Sequence, residues 1–298
     1  QALSYFAKAG HAVAEGAGVG WYDVGSRFFM AVPFDQPVDV RLVQHGSFLP
    51  RSALGARFVC LADQGSSAWA IRCAGPDYDI ERLGSNVRSK VRRGLARFVC
   101  APIPAGRLKG EGERLNKETL ERQGRFYSSA AKASWERMCN ALDEAADADI
   151  WGAETKGELA ACLVALRIGN VSHLLILRSG PAHLKDYVNN ALLFSYLRNT
   201  LAIDKLDYVS FGLEPLGREL PELVRFKESM GFERVSLRQA VVLTPGLDRL
   251  LRSPAGRLAA PASRLIPRHE RLARLASLAS YVRGQERLVF GEMKHVSA

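Results

Sequence analysis

The apolar positions in the second half of the chain repeat with the periods of regular secondary structure. Three apolar runs, IWGAE, ELAACLVALRI and VSHLLILRS, are separated by KG at 156–157 and GN at 169–170. Such dipeptides are typical of hairpin turns, so the pattern predicts an antiparallel meander of three strands. The segment 185–203 then has helical spacing at Val188, Leu192 and Tyr196, which predicts a helix.

The next 40 or so residues predict a strand, a short helix and a last strand, in DYVSFGL, PELVRFKESMG and FERVSLRQAVVL. Leu223, Phe226 and Met230 have the spacing of one buried helix face. Gly231 follows them as the expected left-handed C-cap. The resulting order β-β-β-α-β-α-β contains a β-α-β crossover, which predicts that VSHLLILRS and DYVSFGL are parallel and connected with right-handed topology.

The first half is predicted to be rich in strands, in RFFMAVPF, VDVRLVQH, RFVCLAD and SSAWAIRC. A basic helix follows, with Val87, Val91 and Leu95 on its apolar face. The segment GRLKGEGERLN at 106–116 is the most turn-like break. Two helices are predicted after this break, and Ser134 is a candidate N-cap for the second.

These patterns divide the chain into three parts. An N-terminal half with the basic helix is predicted at 1–106, a C-terminal half at 107–245, and a basic helical tail at 246–298. The leucines and arginines of the tail fit packing against the protein as well as contact with a membrane surface.

Composition adds a constraint on partners. The 298 residues carry a formal net charge of +10, which predicts an anionic partner such as nucleic acid, a phosphorylated cofactor or a membrane surface. No apolar run approaches the roughly 20 residues of a membrane-spanning helix. The five cysteines form no CxxC pair and predict reduced thiols in a cytoplasmic protein. The scattered histidines and cysteines predict no metal site.

The basic helix concentrates much of this charge. Five cations lie within ten residues, and no acidic residue occurs between Arg82 and Glu111. Local pairing is therefore not expected to neutralise them, and we predict a cradle for a polyanionic ligand. The alternative is a solvated face without a ligand. The five cations are Arg88, Lys90, Arg92, Arg93 and Arg97.

Two short motifs and the element order resemble a known family. One motif is the FK…GF junction, and the other is RSKVRRGL. The matching residues are Phe226, Lys227, Gly231, Phe232, Arg88, Arg92 and Arg93. Both resemble the GNAT acyltransferase superfamily and, within it, the Fem-type aminoacyltransferases of peptidoglycan bridge synthesis. The resemblance implies an α/β fold with a mixed sheet, formed by two GNAT-like halves with a helical C-terminal tail, the first half degenerate.

The resemblance leaves the acyl donor open. Acetyl-CoA-dependent members carry a glycine-rich loop after the fourth strand, whereas this chain has RSGPAHLKDYVNNA there, with Gly180 as its lone glycine. Acyl-CoA is the expected donor because it is common in the superfamily, and aminoacyl-tRNA, the donor of the Fem branch, is the alternative. A non-catalytic nucleic-acid-binding protein is a third possibility, although no aromatic side chain is interleaved with the basic residues to stack on bases.

Candidate donor-binding residues follow from the predicted sheet. Ligands of open α/β sheets bind beyond the carboxyl ends of parallel strands, and the amino end of the helix starting near Tyr187 suits a phosphate. The predicted donor- and phosphate-binding residues are Arg178, Ser179, Asn189, Asn190, Arg88, Lys90, Arg92 and Arg93.

Two residues are predicted to be catalytic. The resemblance implies that Lys227 neutralises a phosphate or the developing oxyanion; the alternative is a solvent-facing lysine beside a core phenylalanine. Glu214 directly follows a predicted strand and is the candidate general base, or else an ordinary turn residue before Pro215. The expected acceptor is a small-molecule or peptide amine.

Overall fold

The computed structural model describes residues 2–217, 220–254, 256 and 270–291. The helices are α1 (Ala2–Lys8), α2 (Val40–His45), α3 (Ser85–Leu95), α4 (Glu113–Arg122), α5 (Ser129–Asp143), α6 (Val188–Leu197), α7 (Pro221–Ser229), α8 (Pro245–Arg252) and α9 (Glu270–Gly284). The strands are β1 (Val13–Gly16), β2 (Val19–Asp23), β3 (Phe28–Val32), β4 (Gly55–Val59), β5 (Ser66–Ala74), β6 (Val99–Pro102), β7 (Ala148–Thr155), β8 (Glu158–Ile168), β9 (Val171–Ser179), β10 (Tyr208–Leu213) and β11 (Glu233–Leu243). The predicted mixed α/β fold is confirmed.

The chain forms two compact units that are discontinuous in sequence. The first unit contains Gln1–Gly10, Ile71–Gly212 and Leu220–Arg234. The second contains His11–Ala70, Leu213–Glu219 and Val235–Ala298. The division by sequence at residues 106 and 245 stays a prediction.

The first unit is built around the predicted meander. Its strands follow the order β10-β9-β8-β7-β6, and β7, β8 and β9 are antiparallel neighbours as predicted. Lys156 and Gly157 have φ angles of 51° and 81°. Positive φ at both central residues is what a two-residue hairpin turn needs to match the twist of its strands.

The pairing of β9 with β10 is parallel, as predicted, and short. It joins Tyr208–Ser210 to Val171–His173, and then ends. Both strands continue beyond this paired segment, β9 to Ser179 and β10 to Leu213.

Helices cover the two faces of this sheet. Residues alternate between the faces of a strand, and the end of β9 shows the alternation directly. Leu177 packs against the core cluster that includes Leu192 of α6 and Met230 beyond α7. The next residue, Arg178, instead donates a hydrogen bond from Nε to Asn116 of α4, at 2.7 Å. Thus α6 lies on one face and α4 on the other.

The predicted strand VDVRLVQH is wrong, because this segment contains helix α2. Asp39 caps the helix by accepting a hydrogen bond from the backbone nitrogen of Arg41, at 2.9 Å. Val40 and Val43 are buried, three residues apart as on a helix face. The alternation of Val38, Val40 and Leu42 that predicted a strand is therefore overridden by the cap and by packing.

The predicted break at 106–116 is also helical. A turn of π-helix, Leu108–Gly112, runs directly into α4. Leu108 is fully buried, and its carbonyl accepts a hydrogen bond from Trp135 Nε1 at 2.8 Å. The N-cap of α5 is Ser128, whose Oγ accepts from the nitrogen of Ala131 at 3.2 Å, and the prediction of Ser134 is wrong.

The second unit has its own core and its own run of neighbouring strands. Its strands follow the order β1-β2-β3-β4-β11, with β3 and β4 parallel and β11 antiparallel to β4. Trp21 and Phe58 are almost completely buried, with ring centroids 5.5 Å apart. In the tail, α8 and α9 are helical as predicted, and residues 257–269 and 292–298 lie outside the described residues. Among the described helices, none has the length and apolar character of a membrane span.

Candidate active site

The turn after α7 is set by Gly231, as predicted. Its φ is +91°, a left-handed conformation that glycine adopts without strain. The carbonyl of Met230, just before it, accepts a hydrogen bond from Tyr78 Oη at 2.8 Å. Met230 is fully buried, but Leu223 is 42% exposed, so the predicted burial of Leu223 is wrong. Only the last turn of α7 packs on the core, and there Lys227 is buried instead.

Lys227 lies at the end of β10. It is only 8% exposed, which excludes the alternative of a solvent-facing lysine. Its Nζ is 4.8 Å from the centroid of the Phe211 ring, and Phe211 directly follows the last residue of β10 that pairs with β9. The Lys227 ammonium is therefore held where β9 and β10 are no longer joined.

The basic helix α3 packs closely on the amino end of α6. A Cβ atom placed on Gly94 would lie 2.9 Å from both the carbonyl oxygen of Tyr187 and the Cβ of Ala191. This approach brings two cations onto the Tyr187 ring: the Arg93 guanidinium at 4.5 Å and the Lys90 ammonium at 6.0 Å from its centroid. Two cations of the predicted cradle therefore lie at the predicted helix terminus, the amino end of α6.

The other three cations of the predicted cradle, two in α3 and one just after it, have acidic partners. Arg88 and Arg92 contact Glu81 at 3.0 and 3.5 Å, and Arg97 contacts Asp186 at 2.5 Å. The expectation that the chain would not compensate these charges locally is wrong. The short 3-10 turn at Ile80–Arg82 places Glu81 beside the helix, and sequence spacing alone did not indicate this.

The connection from β9 to α6 is not a glycine-rich loop. Pro181–Asp186 forms a 3-10 helix, and Tyr187 follows with a left-handed φ of 63°. Among the described residues, no side chain caps the first turn of α6, so its backbone N–H groups stay available to an anion. Asn190 donates a hydrogen bond from Nδ2 to the sulfur of Met230 at 3.4 Å, which turns it toward the core. The Oδ1 atom of Asn189 is buried without a hydrogen-bond donor among the described residues.

Arg178 and Ser179 lie on the α4 side of the strand. Ser179 is 2% exposed, and its backbone nitrogen and oxygen both lie 3.3 Å from the hydroxyl of Thr119. Arg122 also donates to the Ser179 carbonyl, at 3.2 Å. Burial lowers the pKa of Arg178, an effect reinforced by the positive charges of Arg125 and Arg122. Sequence reasoning missed the α4 residues, whose signal was a polar stripe at helical spacing.

Glu214 belongs to the second unit, in which its backbone is fixed. Its nitrogen donates to the carbonyl of Trp69 at 2.9 Å, and its carbonyl accepts from Arg57 Nη2. Arg57 also donates to Gln239 Oε1 at 2.9 Å. The role of Glu214 as a base stays a prediction.

The five cysteines are free thiols, four of them buried and Cys100 partly buried. Burial raises the pKa of Cys60 and Cys100 to about 11 and that of Cys162 to about 12. They therefore stay protonated and unreactive near neutral pH. Within the described residues, no cluster of histidine, cysteine and acidic side chains could hold a metal ion.

Comparison with known proteins agrees with this architecture. Residues 85–227 match the family model described as an acetyltransferase (GNAT) domain. Among solved structures, FemX is similar with a TM-score of 0.55 at 11% sequence identity, over 89% of this chain and 92% of that chain. L-PGS from Bacillus licheniformis has a TM-score of 0.51 at 13% identity, over 90% and 93%. No curated protein matches the chain by sequence.

A C-terminal domain (DUF2156) assigned to a lysylphosphatidylglycerol synthetase of Agrobacterium fabrum has a TM-score of 0.52 at 13% identity, over 80% of this chain and 86% of that chain. The likeness to these structures extends over most of the chain and concerns its fold. The predicted transferase class follows from the domain match. Residues 85–227 match the acetyltransferase (GNAT) domain, in agreement with the predicted superfamily, and the predicted resemblance to the Fem-type branch is confirmed in the fold.

Proposed function

We propose that this protein transfers an acyl group from acyl-CoA to an amine, with aminoacyl-tRNA as the second candidate donor. The observation that carries the proposal is the convergence of Lys90 and Arg93 on Tyr187 at the amino end of α6. Both donors are phosphorylated carriers, and both need a cationic site for phosphate groups close to a place where acyl transfer can occur.

The amino end of α6 suits a phosphate for three reasons. Its first-turn N–H groups receive no side-chain cap from the part of the chain that the structure describes, and they carry the positive end of the helix dipole. Lys90 and Arg93 add two full charges beside it. Their contact with Tyr187 is a cation–π interaction, whereas Arg88 and Arg92 share Glu81. We therefore assign the larger part of phosphate binding to Lys90 and Arg93.

The short pairing of β9 with β10 offers a place for the extended part of the carrier. Beyond His173 and Ser210 the strands are no longer paired with each other. Backbone groups at such an opening need other partners, and an extended molecule with amide groups can bind by adding to a strand. The amides of the CoA arm meet this requirement, which favours acyl-CoA as the donor.

The transfer step would use Lys227. The amine attacks the donor carbonyl and forms a tetrahedral oxyanion, which a buried ammonium group stabilises strongly. Lys227 is the group that we assign to this role. A general base accepts the proton from the attacking amine, and the new amide bond forms as the C–S bond to CoA breaks and the thiolate leaves.

Aminoacyl-tRNA remains a candidate because of two specific observations. A 3-10 helix stands where CoA-dependent members of the family have a glycine-rich loop, and the structural likeness to FemX extends over most of both chains. In that case the leaving group is the ribose hydroxyl of the tRNA. The acetyltransferase domain match favours an enzyme over the non-catalytic nucleic-acid-binding alternative. The free thiols fit the reducing cytoplasm, where both donors occur.

Thermal-shift measurements distinguish the donors. The protein is heated with acetyl-CoA, longer acyl-CoAs, and charged or uncharged tRNA, because a ligand that binds the native state raises the melting temperature. We expect an acyl-CoA to stabilise the protein, and we expect Lys90→Gln/Arg93→Gln to abolish the effect. The matched control is Arg88→Gln/Arg92→Gln, which removes the same charge from the same helix and should weaken binding less. Stabilisation by charged tRNA alone would establish the second donor, and no response to any donor would refute the proposal.

A further inference from the structure

The end of β9 is hydrogen-bonded to a row of polar side chains on α4. Asn116, Thr119 and Arg122 follow one another along one side of α4 at intervals of three residues. Asn116 accepts from Arg178, and Thr119 and Arg122 bind the backbone of Ser179. These contacts hold two guanidinium groups in fixed positions beside the end of the strand.

The hydrogen bonds of these two arginines reach neutral acceptors. Arg178 donates to the amide oxygen of Asn116 and to the carbonyl of Leu177, at 2.7 and 3.2 Å. Arg122 donates to the carbonyl of Ser179. Neither guanidinium forms an ion pair with an acidic residue of the described chain. Glu118 of the same helix contacts Arg114 at 3.1 Å.

A third arginine, Arg125, acts electrostatically on Arg178. Arg125 follows α4 in the connection to α5, and its charge, together with that of Arg122, disfavours the protonated form of Arg178. The charged form of a partly buried arginine such as Arg178 is costly when other positive charges lie near it. A bound anion removes this cost, and arginine is well suited to bind a phosphate or carboxylate through paired N–H groups.

An exposed aromatic residue directly follows Arg125 in the chain. Phe126 is 88% exposed. The next residue, Tyr127, is held in place by its hydroxyl, which donates a hydrogen bond to Glu113 Oε1 at 3.2 Å. An apolar ring in this position can contact the apolar part of a ligand whose anionic group is held by the arginines.

We propose that Arg122, Arg125 and Arg178 bind an anionic group, a phosphate or a carboxylate, of the acyl acceptor, with Phe126 against its apolar part. This inference rests on the proposed function. The assigned phosphate site for the donor involves α6, on the opposite face of the sheet from α4. The two substrates thus approach the opening between β9 and β10 from different faces, and the acceptor is selected by its negative charge.

Inorganic phosphate is the first probe. Since phosphate can also bind at α6, the measurement uses the full chain with Lys90→Gln/Arg93→Gln, and binding is followed by calorimetry and thermal shift. We expect phosphate to bind this variant, and we expect the further exchange Arg122→Gln/Arg125→Gln to weaken it by at least about tenfold. Both arginines are exposed, so the exchanges leave the core intact. Lys117→Gln removes a charge from an exposed position of the same helix and should leave phosphate affinity unchanged.

Vesicles are the second probe, because a phosphate group can belong to a soluble acceptor or to a lipid. Cosedimentation is measured with vesicles of phosphatidylglycerol and of phosphatidylcholine. Binding to the anionic vesicles alone, lost in Arg122→Gln/Arg125→Gln and reduced in Phe126→Ser, assigns the group to a lipid. Phosphate binding without vesicle binding assigns it to a soluble acceptor.

The inference is overturned if neither phosphate nor anionic vesicles distinguish Arg122→Gln/Arg125→Gln from Lys117→Gln. Its failure is separate from that of the proposed function. Donor binding depends on Lys90 and Arg93, and the phosphate measurement is made after both have been replaced.

Discussion

The ammonium nitrogen of Lys227 lies 4.8 Å from the centroid of the Phe211 ring. Lysine is rarely as deeply buried as the 8% exposure of Lys227 implies. The contact fixes a positive charge at the end of β10, and a charge in such an environment interacts with a developing oxyanion more strongly than a charge in water. The position of this lysine is the strongest structural support for its proposed role.

Replacement of Lys227 by methionine tests this role directly. Methionine keeps most of the apolar stem and removes the charge, so the fold should persist. We expect kcat/KM to fall by about a hundredfold or more, as for the loss of other oxyanion-stabilising groups, in an acyl-transfer assay with the donor that stabilises the protein. Lys117→Met is the control on an exposed position. Unchanged turnover in Lys227→Met would assign the lysine a purely structural role.

The close approach of α3 to α6 predicts an intolerance to side chains at Gly94. Alanine there would place its Cβ 2.9 Å from a backbone oxygen and from the Cβ of Ala191, so one helix must shift. We expect Gly94→Ala to lower the free energy of unfolding by about 1–3 kcal/mol, measured by urea denaturation. Gly110→Ala is the control, because this helical glycine has open space around it. Equal stability of the two variants would contradict the packing.

Ser128 is the N-cap of α5 and Ser134 is not, so alanine should have different effects at the two positions. Ser128→Ala removes the side-chain acceptor for the nitrogen of Ala131 and should cost about 1 kcal/mol. Ser134 lies inside the helix, where alanine has the higher helix propensity, so Ser134→Ala should not destabilise. Urea unfolding of both variants measures the difference, and the reverse order would restore the prediction made from sequence.

The buried thiols predict a loss of stability in alkaline solution. Burial raises the pKa of Cys73, Cys139 and Cys162 to about 12. The native state therefore keeps these protons when the unfolded chain has lost them, above about pH 8.5. Since the native state then binds more protons, the free energy of unfolding falls as pH rises toward 12. Urea unfolding at pH 8 and pH 10 measures the fall. Rapid alkylation of the native protein by iodoacetamide at pH 8 would contradict the burial.

The sequence predicted the elements whose signals are local. The meander, the parallel crossover and the left-handed turn at Gly231 follow from apolar periods and turn residues. Helix α2 was missed because its apolar residues fit the period of a strand as well as that of a helix. The Asp39 cap and tertiary packing decide in favour of the helix. The exposure of Leu223 and the burial of Lys227 depend on which turn of α7 meets the core, and tertiary packing alone decides this.

The site was predicted in part. Periodicity and motif placed Lys90, Arg93 and Lys227 among the candidates, but their neighbours Tyr187 and Phe211 come from distant parts of the chain. The pairing of Glu81 with α3 depends on a single 3-10 turn. The cluster at Arg122 and Arg125 was missed because its arginines are spread over a helix and a loop; the polar stripe of α4 and the phenylalanine in QGRFY were its local signals.

The placement of α6 and α4 on opposite faces of the sheet has a kinetic consequence. If each face serves one substrate, neither molecule blocks the entry of the other, and both must be present before the acyl group moves. Reciprocal rate is then plotted against reciprocal donor concentration, with one line for each acceptor concentration. These lines should intersect, as they do when both substrates bind before transfer. Parallel lines would instead indicate a covalent acyl-enzyme that forms before the acceptor binds.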